Sequence, residues 1–223
     1  MDDREERCRD ILEGLATYFA SPLVADVLAA VSRHPEPDLG AALNRNQFTS
    51  KLWLADALAT AAGARFGTVT VLGGWFGVLG AILLADRRLA IGRVVSVDID
   101  PRCAAVACTM NGSHLEGGRF AAVTADMLGW ALAGPRPGDA APDLVVNTSC
   151  EHLRRPAFDA WYARVPAGHL VALQSNDYVA IDEHVNCVAD LDAFRAQAPL
   201  AEVLFAGARP LKKYTRFMLI GRK

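Results

Sequence analysis

The sequence predicts an α/β fold with a parallel sheet, helices before it and an antiparallel hairpin at its end. An apolar, β-branched run at residues 68–72 precedes a glycine turn, and a second apolar run at 94–98 ends on an acid. Further apolar runs alternate with helical patterns, which is typical of parallel strands. The last two runs are separated by a short turn, so we expect them to pair antiparallel.

The elements are expected in the following order. Apolar residues recur at helical spacing over residues 3–19, 22–32 and 49–62, which predicts an N-terminal helical cap of residues 1–64. An α/β domain of residues 65–223 follows. Its strands are expected over 68–72, 94–98, 120–125, 144–147, 169–174, 202–206 and 214–220, and its helices over 78–90, 102–110, 127–132 and 156–164.

The composition favours a protein that acts on a small molecule. The 223 residues are 52% hydrophobic, which is enough for a sizeable core, and the formal net charge of −2 offers no basic surface for nucleic acid. Five cysteines lack a repeated spacing, and the N-terminus carries no apolar signal segment. No apolar run reaches the roughly 18 residues of a membrane span. We therefore expect a soluble, cytoplasmic protein; the sequence does not indicate its oligomeric state.

The glycine turn has the composition of a ligand cradle. Gly73, Gly74 and Gly77 allow close approach of a ligand to the backbone. Asp98 follows Gly74 by 24 residues, at the tip of the next strand, where a carboxylate can accept hydrogen bonds from a ribose diol. Bulky Trp75 stands where a pyrophosphate would need close approach, so the ligand is not expected to be a pyrophosphate.

This order of motifs, with Thr124-Ala-Asp-Met127 after the third strand and a polar turn after the fourth, resembles the Rossmann-like fold of class I S-adenosylmethionine-dependent methyltransferases. The resemblance covers about residue 68 to the C-terminus, although the usual Gly-x-Gly-x-Gly is altered. It implies S-adenosylmethionine as the cofactor. It also implies the binding residues: Gly73, Gly74, Trp75 and Gly77 for the methionine moiety, Asp98 for the ribose with Ile99 beside it, and Asp126 and Met127 for the adenine.

Two of these assignments have simpler alternatives. Asp126 has the residue type and position of a helix N-cap before the expected helix 127–132. Gln47 and Lys51 lie four residues apart and share a helix face, where Lys51 could meet the cofactor carboxylate. An ordinary solvated lysine would give the same pattern.

Polar residues follow the fourth and fifth strands, where ligands bind in open parallel sheets. They are Asn147, Ser149, Glu151 and His152, then Ser175, Asn176 and Tyr178. The amides, hydroxyls and ring could orient a substrate or face a sulfonium, and Glu151 or His152 could remove a proton. Asn147 is also expected to contact the cofactor, whose own amine Asn147, Ser175 and Asn176 could hold. Helix capping and packing are the simpler explanations. Thr148 follows Asn147 where amino-methylating members of the superfamily have proline, which disfavours methylation of adenine or glutamine amino groups.

The sequence leaves several functions open. Methyl transfer to a small acceptor is favoured because it is the commoner reaction of the fold. The polar segments also resemble those of azetidine-2-carboxylate synthases, which implies that the cofactor's own amine could attack its γ-carbon and release methylthioadenosine. A non-catalytic, cofactor-binding regulatory domain is a third possibility. No metal is expected, although Cys150, His152, His184 and Cys187 offer zinc-ligand types.

Overall fold

A computed structural model describes residues 3–35, 38–132 and 143–223, and its centre is a sheet of seven strands among these residues. The order across the sheet is β3-β2-β1-β4-β5-β7-β6. The strands are β1 (Arg65–Leu72), β2 (Ala90–Asp98), β3 (Phe120–Thr124), β4 (Leu144–Asn147), β5 (Leu170–Asn176), β6 (Glu202–Pro210) and β7 (Thr215–Arg222). Strands β1 to β5 run parallel, and β7 pairs antiparallel with both β5 and β6. The predicted parallel sheet with a C-terminal hairpin is confirmed.

Helices cover both faces of the sheet. They are α1 (Asp3–Phe19), α2 (Pro22–Arg33), α3 (Leu39–Leu43), α4 (Arg45–Ala61), α5 (Val78–Ala85), α6 (Pro101–Met110), α7 (Arg155–Arg164) and α8 (Leu191–Gln197). Successive side chains of a strand point to opposite faces, and β4 shows the result. Leu144 and Val146 enter a core with α2 to α6, whereas Val145 enters a second core with α7 and α8.

Three helix predictions are corrected by the structure. The helix expected over 78–90 ends at Ala85, and Ala90 already begins β2. The helix expected over 127–132 does not form, because the Asp126 carboxylate accepts a hydrogen bond from the Leu128 N–H at 2.8 Å and closes a turn. The third helix begins at Arg45 rather than at residue 49, since the Asn44 side chain accepts the Gln47 N–H and caps it.

Two helices were not predicted. Helix α3 has 5 residues and α8 has 7, so neither is long enough to show a clear helical period. Both begin at an aspartate cap: Asp38 accepts the Ala41 N–H, and Asp190 accepts the Ala193 N–H. Within the described ranges, none of the helices combines the length and apolar character needed to cross a bilayer.

Helix α4 is joined to the sheet by a buried polar contact. The Ser50 hydroxyl donates to Gln174 Oε1 at 3.0 Å, and Gln174 Nε2 donates to the Ser50 carbonyl at 3.4 Å. Both side chains are buried, Gln174 completely. Because buried polar groups are costly without partners, this contact fixes α4 over β5.

Replacing Ser50 by alanine is therefore expected to destabilise the protein by about 1–3 kcal/mol, because Gln174 Oε1 would lose its donor. The free energy of unfolding from urea denaturation measures the effect. Thr60→Ala on the same helix is the matched control, since the Thr60 hydroxyl bonds only within α4, to the Asp56 and Ala57 carbonyls, and lies at an exposed position. The control should change stability by less than about 0.5 kcal/mol. Equal effects of the two substitutions would contradict the proposed role of this contact.

Candidate active site

A cavity of about 820 Å³ opens at the carboxyl ends of the parallel strands. Its wall combines the glycine turn after β1, the end of β2, the loops after β3, β4 and β5, residues of α4, and the start of β7. The strand ends converge here because β1 to β5 all run in one direction. The cavity is therefore the meeting point of the motifs that the sequence singled out.

The glycine turn forms one side of this cavity. Gly73 has φ +64°, and a Cβ there would lie 3.2 Å from both Met127 Cε and Ser149 Oγ. A side chain at Gly73 would thus enter space between cavity-wall residues. Gly74 N donates to the Val97 carbonyl at 3.0 Å, which ties the turn to β2. Only residues without a side chain fit this close approach.

Asp98 orients the same turn. Its Oδ2 accepts the Trp75 N–H at 2.7 Å, and its Oδ1 accepts the Asp100 N–H at 3.0 Å. The Trp75 backbone is left-handed, with φ +49°, a conformation that costs a non-glycine residue roughly 1–2 kcal/mol. The hydrogen bond to Asp98 helps to hold it there. Asp100 itself accepts the Arg102 N–H and caps α6.

Other residues proposed for the cofactor lie around this turn. Asp126 and Met127 line the cavity, and the Asp126 carboxylate closes the turn to Leu128 described above. Ile99 also lines the cavity and is 67% exposed, at its rim. Gly77 does not line the cavity; it is the N-cap residue of α5, with φ +75°, and its carbonyl accepts a hydrogen bond from Asn111.

Helix α4 contributes an enclosed lysine. Lys51 Nζ donates to Gln47 Oε1 at 2.5 Å, so these two side chains share a helix face and both line the cavity. Burial lowers the pKa of Lys51 to about 7. The Arg216 charge acts in the same direction, and Glu151 opposes it. Lys51 thus differs from a solvated surface lysine.

Another part of the cavity wall holds a buried ion pair. Arg216 Nη1 donates to Glu151 Oε1 at 2.5 Å, and Asn176 Nδ2 donates to the same oxygen at 2.7 Å. The side chains of Glu151 and Arg216 are only 3% and 8% exposed. Arg216 also donates to the Thr148 carbonyl. Glu151, Arg216 and Asn176 therefore form one connected polar cluster, which we call the Glu151 cluster.

Sequence reasoning missed Arg216. It lies on β7, where it is directly opposite Asn176 of β5 in the antiparallel register. A single arginine before the apolar run Phe217 to Ile220 was the available signal, because a charge inside a buried strand needs a partner. The partner, Glu151, is 65 residues away in the chain.

Aromatic and imidazole rings complete this side. His184 Nδ1 lies 2.7 Å from the Tyr178 carbonyl oxygen, and the His152 and His184 rings meet edge to face with centroids 4.7 Å apart. Tyr178 stacks on Tyr214 at 5.4 Å. Burial lowers the pKa of His152, while Glu151 opposes the shift. Glu151, His152, Asn176, Tyr178 and Ser149 all line the cavity.

Two predicted catalytic residues lie behind the wall. Asn147 is fully buried; its Oδ1 accepts the Ser149 N–H at 2.9 Å, and its Nδ2 lies 3.7 Å from Met127 Sδ. Ser175 is also fully buried, and its Oγ has no hydrogen-bond partner among the described residues. Neither lines the cavity. Both occupy strand positions whose side chains turn away from it.

The four residues with zinc-binding side chains, Cys150, His152, His184 and Cys187, do not come together at one point. Cys150 Sγ points to the Asn147 carbonyl, and burial raises the pKa of its thiol well above the usual range. Cys187 Sγ lies 3.5 Å from Asn176 Oδ1. Among the described residues, the set that could share a metal ion is Glu151, His152 and His184, without either cysteine.

Known structures share this architecture. The N-methyltransferase NodS from Bradyrhizobium japonicum WM9, in complex with S-adenosyl-L-homocysteine, is 11% identical with a TM-score of 0.59, covering 89% of this chain and 100% of NodS. Magnesium protoporphyrin IX methyltransferase (ChlM) from Synechocystis PCC 6803, with bound S-adenosylmethionine, is 14% identical with a TM-score of 0.56, covering 91% of this chain and 85% of ChlM. No protein-family model and no curated protein matches the chain. The chain has the class I methyltransferase fold, as the sequence predicted.

Lys51 gives this site a measurable pH signature. Its pKa is about 7 in the folded protein against 10.5 for an ordinary lysine, so the unfolded chain binds more protons between these values. The wild-type protein should therefore gain stability as the pH rises from 7 to 10.5. We expect Lys51→Met to be more stable than the wild type at about pH 6, and this advantage to shrink by up to about 1.4 kcal/mol per pH unit above pH 7.

The measurement is the free energy of unfolding in urea at about pH 6, 8 and 9.5, taken as variant minus wild type so that other titrating groups cancel. Lys212→Met is the control, because Lys212 is exposed and lies outside the cavity wall. The control should differ from the wild type by less than about 0.5 kcal/mol throughout. An advantage of Lys51→Met that does not vary with pH would contradict the assigned burial of Lys51.

Proposed function

We propose that the protein is an S-adenosylmethionine-dependent enzyme that transfers the cofactor's methyl group to a small acceptor. The observation that carries this proposal is one cavity with two chemically different sides, the glycine turn with its acids and the Glu151 cluster. Its volume of about 820 Å³ falls within the roughly 300–1,000 Å³ of small-molecule sites. This leaves room for a cofactor and a small second substrate.

The cofactor would lie along the glycine turn. We assign Gly73, Gly74 and Trp75 to the methionine moiety, Asp98 and Ile99 to the ribose, and Asp126 and Met127 to the adenine. Gly73 and Gly74 line the cavity without side chains, which supports close approach of a ligand to this backbone. The bulky Trp75 side chain stands where a pyrophosphate would need close approach to the backbone, which suits a cofactor without phosphate. Cofactor or product bound to NodS and ChlM supports the same choice.

Lys51 and Gln47 are proposed to hold the amino acid end of the cofactor. Lys51 is enclosed, and a carboxylate beside it would favour its charged form. Gln47 accepts from Lys51 and so orients the ammonium group. Gly77 would contribute indirectly by starting α5 behind the turn.

S-adenosylmethionine supplies a methyl group on a positively charged sulfur, so the chain's main task is alignment. Asn176 and Tyr178 would orient the acceptor, with Asn147 and Ser175 supporting their strand ends from behind. His152 or Glu151 would receive the proton that the acceptor loses when its lone pair bonds to the methyl carbon. The carbon–sulfur bond breaks in the same step, and its electrons remain on sulfur.

Cyclisation is the second candidate, and the position of Lys51 favours it. The charges of Arg216 and Glu151 both act on the pKa of Lys51, so an amino acid end held by Lys51 would lie beside the Glu151 cluster. The cofactor's amine could then lose its proton there and attack its own γ-carbon. The γ-carbon–sulfur bond would break, with release of methylthioadenosine and azetidine-2-carboxylate.

Product analysis separates these reactions. Purified protein is incubated with S-adenosylmethionine alone and with pools of small amines, alcohols and carboxylates, and the products are identified by mass spectrometry. We expect S-adenosylhomocysteine to form only when an acceptor is present. Methylthioadenosine with a four-membered cyclic amino acid, formed without acceptor, would overturn methyl transfer in favour of cyclisation. Binding without any turnover would favour a regulatory domain.

Asp98→Ala is expected to raise the dissociation constant of S-adenosylhomocysteine by roughly 10- to 100-fold, because a charged acceptor contributes about 1.5–3 kcal/mol. Isothermal titration calorimetry measures this constant. Asp100→Asn is the matched control, because Asp100 lies two residues after Asp98 and asparagine still caps α6. The control should bind like the wild type. Unchanged affinity of Asp98→Ala would show that Asp98 does not hold the ribose.

A further inference from the structure

Three side chains with metal-binding atoms meet at the acceptor end of the cavity. A carboxylate oxygen of Glu151 and one ring nitrogen each of His152 and His184 all lie within 4.8 Å of one another. All three residues line the cavity. We propose that Glu151, His152 and His184 form a site for a divalent first-row transition-metal ion.

Glu151 has one carboxylate oxygen left for a ligand. Oε1 is occupied by Arg216 and Asn176, at 2.5 and 2.7 Å. Oε2 is buried and has no hydrogen-bond partner among the described residues. The side chain is only 3% exposed. A buried carboxylate oxygen without a partner is costly, and a bound cation would remove that cost. The pair with Arg216 holds the carboxylate in one orientation.

His184 is oriented as a metal-binding histidine is. Its Nδ1 lies 2.7 Å from the Tyr178 carbonyl oxygen, which can only accept a hydrogen bond. Nδ1 must therefore carry the proton in the neutral ring, and Nε2 keeps its lone pair. A backbone carbonyl on the second ring nitrogen is the usual arrangement for histidines that bind metals, because it fixes both the tautomer and the ring plane.

The segments that supply the ligands are tied together. Glu151 and His152 belong to a short 3-10 helix, Cys150–His152, after β4, and His184 lies in the loop after β5. Asn186 joins the two: its N–H donates to the Glu151 carbonyl at 2.9 Å, and its side chain donates to the Cys150 carbonyl at 3.4 Å. The ligands are thus held in place before any ion binds, which reduces the cost of binding.

The donor set indicates the kind of ion. Two imidazole nitrogens and one carboxylate oxygen suit Zn²⁺ or Fe²⁺, whereas Mg²⁺ and Ca²⁺ prefer oxygen ligands. Three protein ligands leave coordination positions free, and these would face the cavity. An acceptor hydroxyl bound there would have a lowered pKa and would release its proton to solvent water. Glu151 and His152 would then act as ligands of the ion, in place of the proton-accepting role described above. This last role rests on the proposed function; the metal site does not.

The test measures metal binding without cofactor or acceptor. The 223-residue protein is treated with EDTA, dialysed and titrated with Zn²⁺ by calorimetry, and with Co²⁺ while its visible absorption is recorded. We expect one ion per chain. His152→Ala and His184→Ala should each raise the dissociation constant by at least about 100-fold and abolish the Co²⁺ bands, since loss of a direct ligand exceeds the 10- to 100-fold effect of outer contacts.

His114→Ala is the matched control, because His114 precedes the edge strand β3 and lies outside the cavity wall, and it should bind both ions like the wild type. Circular dichroism and S-adenosylhomocysteine affinity are measured on every sample. Folded wild-type protein that binds neither ion, or binding retained in both histidine variants, would overturn the metal site. One ion per chain in protein that does not bind S-adenosylhomocysteine would support the site while contradicting the proposed cofactor.

Discussion

The buried ion pair between Glu151 and Arg216 is the interaction on which the candidate site depends. Taking two charges out of water costs several kcal/mol per ion, and only close contact with further hydrogen bonds offsets that cost. Here the contact joins the loop after β4 to β7, and Asn176 of β5 bonds the same carboxylate oxygen. The position of β7 beside β5 is what makes this pairing possible. The antiparallel hairpin therefore has a direct role in building the cavity, in addition to extending the sheet.

The two sides of the cavity present different kinds of chemical group to a ligand. Along the glycine turn, backbone groups do most of the work: Asp98 accepts two N–H groups, and Gly74 bonds to β2. A ligand there meets backbone and a few carboxylates. On the other side, charged and ring side chains face the cavity, and they are held by one another and by backbone carbonyls. This division suits the proposed function, in which one side binds the cofactor and the other side binds the acceptor.

The sequence predicted those parts of the molecule that local patterns encode. Strand periodicity and the glycine turn identified the parallel sheet, and both depend on neighbouring residues. Arg216 was missed because its partner lies 65 residues away in the chain, and hydrophobic periodicity does not show which distant strands pair. The helix expected at 127–132 was wrong because Asp126, the candidate N-cap of that helix, closes a tight turn to Leu128. Asn147 and Ser175 were correctly assigned to strand ends, yet the pleat sends both side chains behind the wall.

The distribution of unsatisfied polar atoms argues that this region was selected for function. Six buried side-chain atoms lack a partner among the described residues, and three of them, Glu151 Oε2, Ser175 Oγ and Arg216 Nε, lie in or next to the Glu151 cluster. Folding alone would favour apolar residues at such positions, since a well-packed apolar replacement of a buried ion pair is often neutral or stabilising. Proteins keep costly polar groups mainly where a ligand or reaction needs them. Glu151 and Arg216 line the cavity, and a carboxylate oxygen of Glu151 lies close to ring nitrogens of two histidines. The polar groups that cost stability therefore lie where a bound ligand could offset that cost.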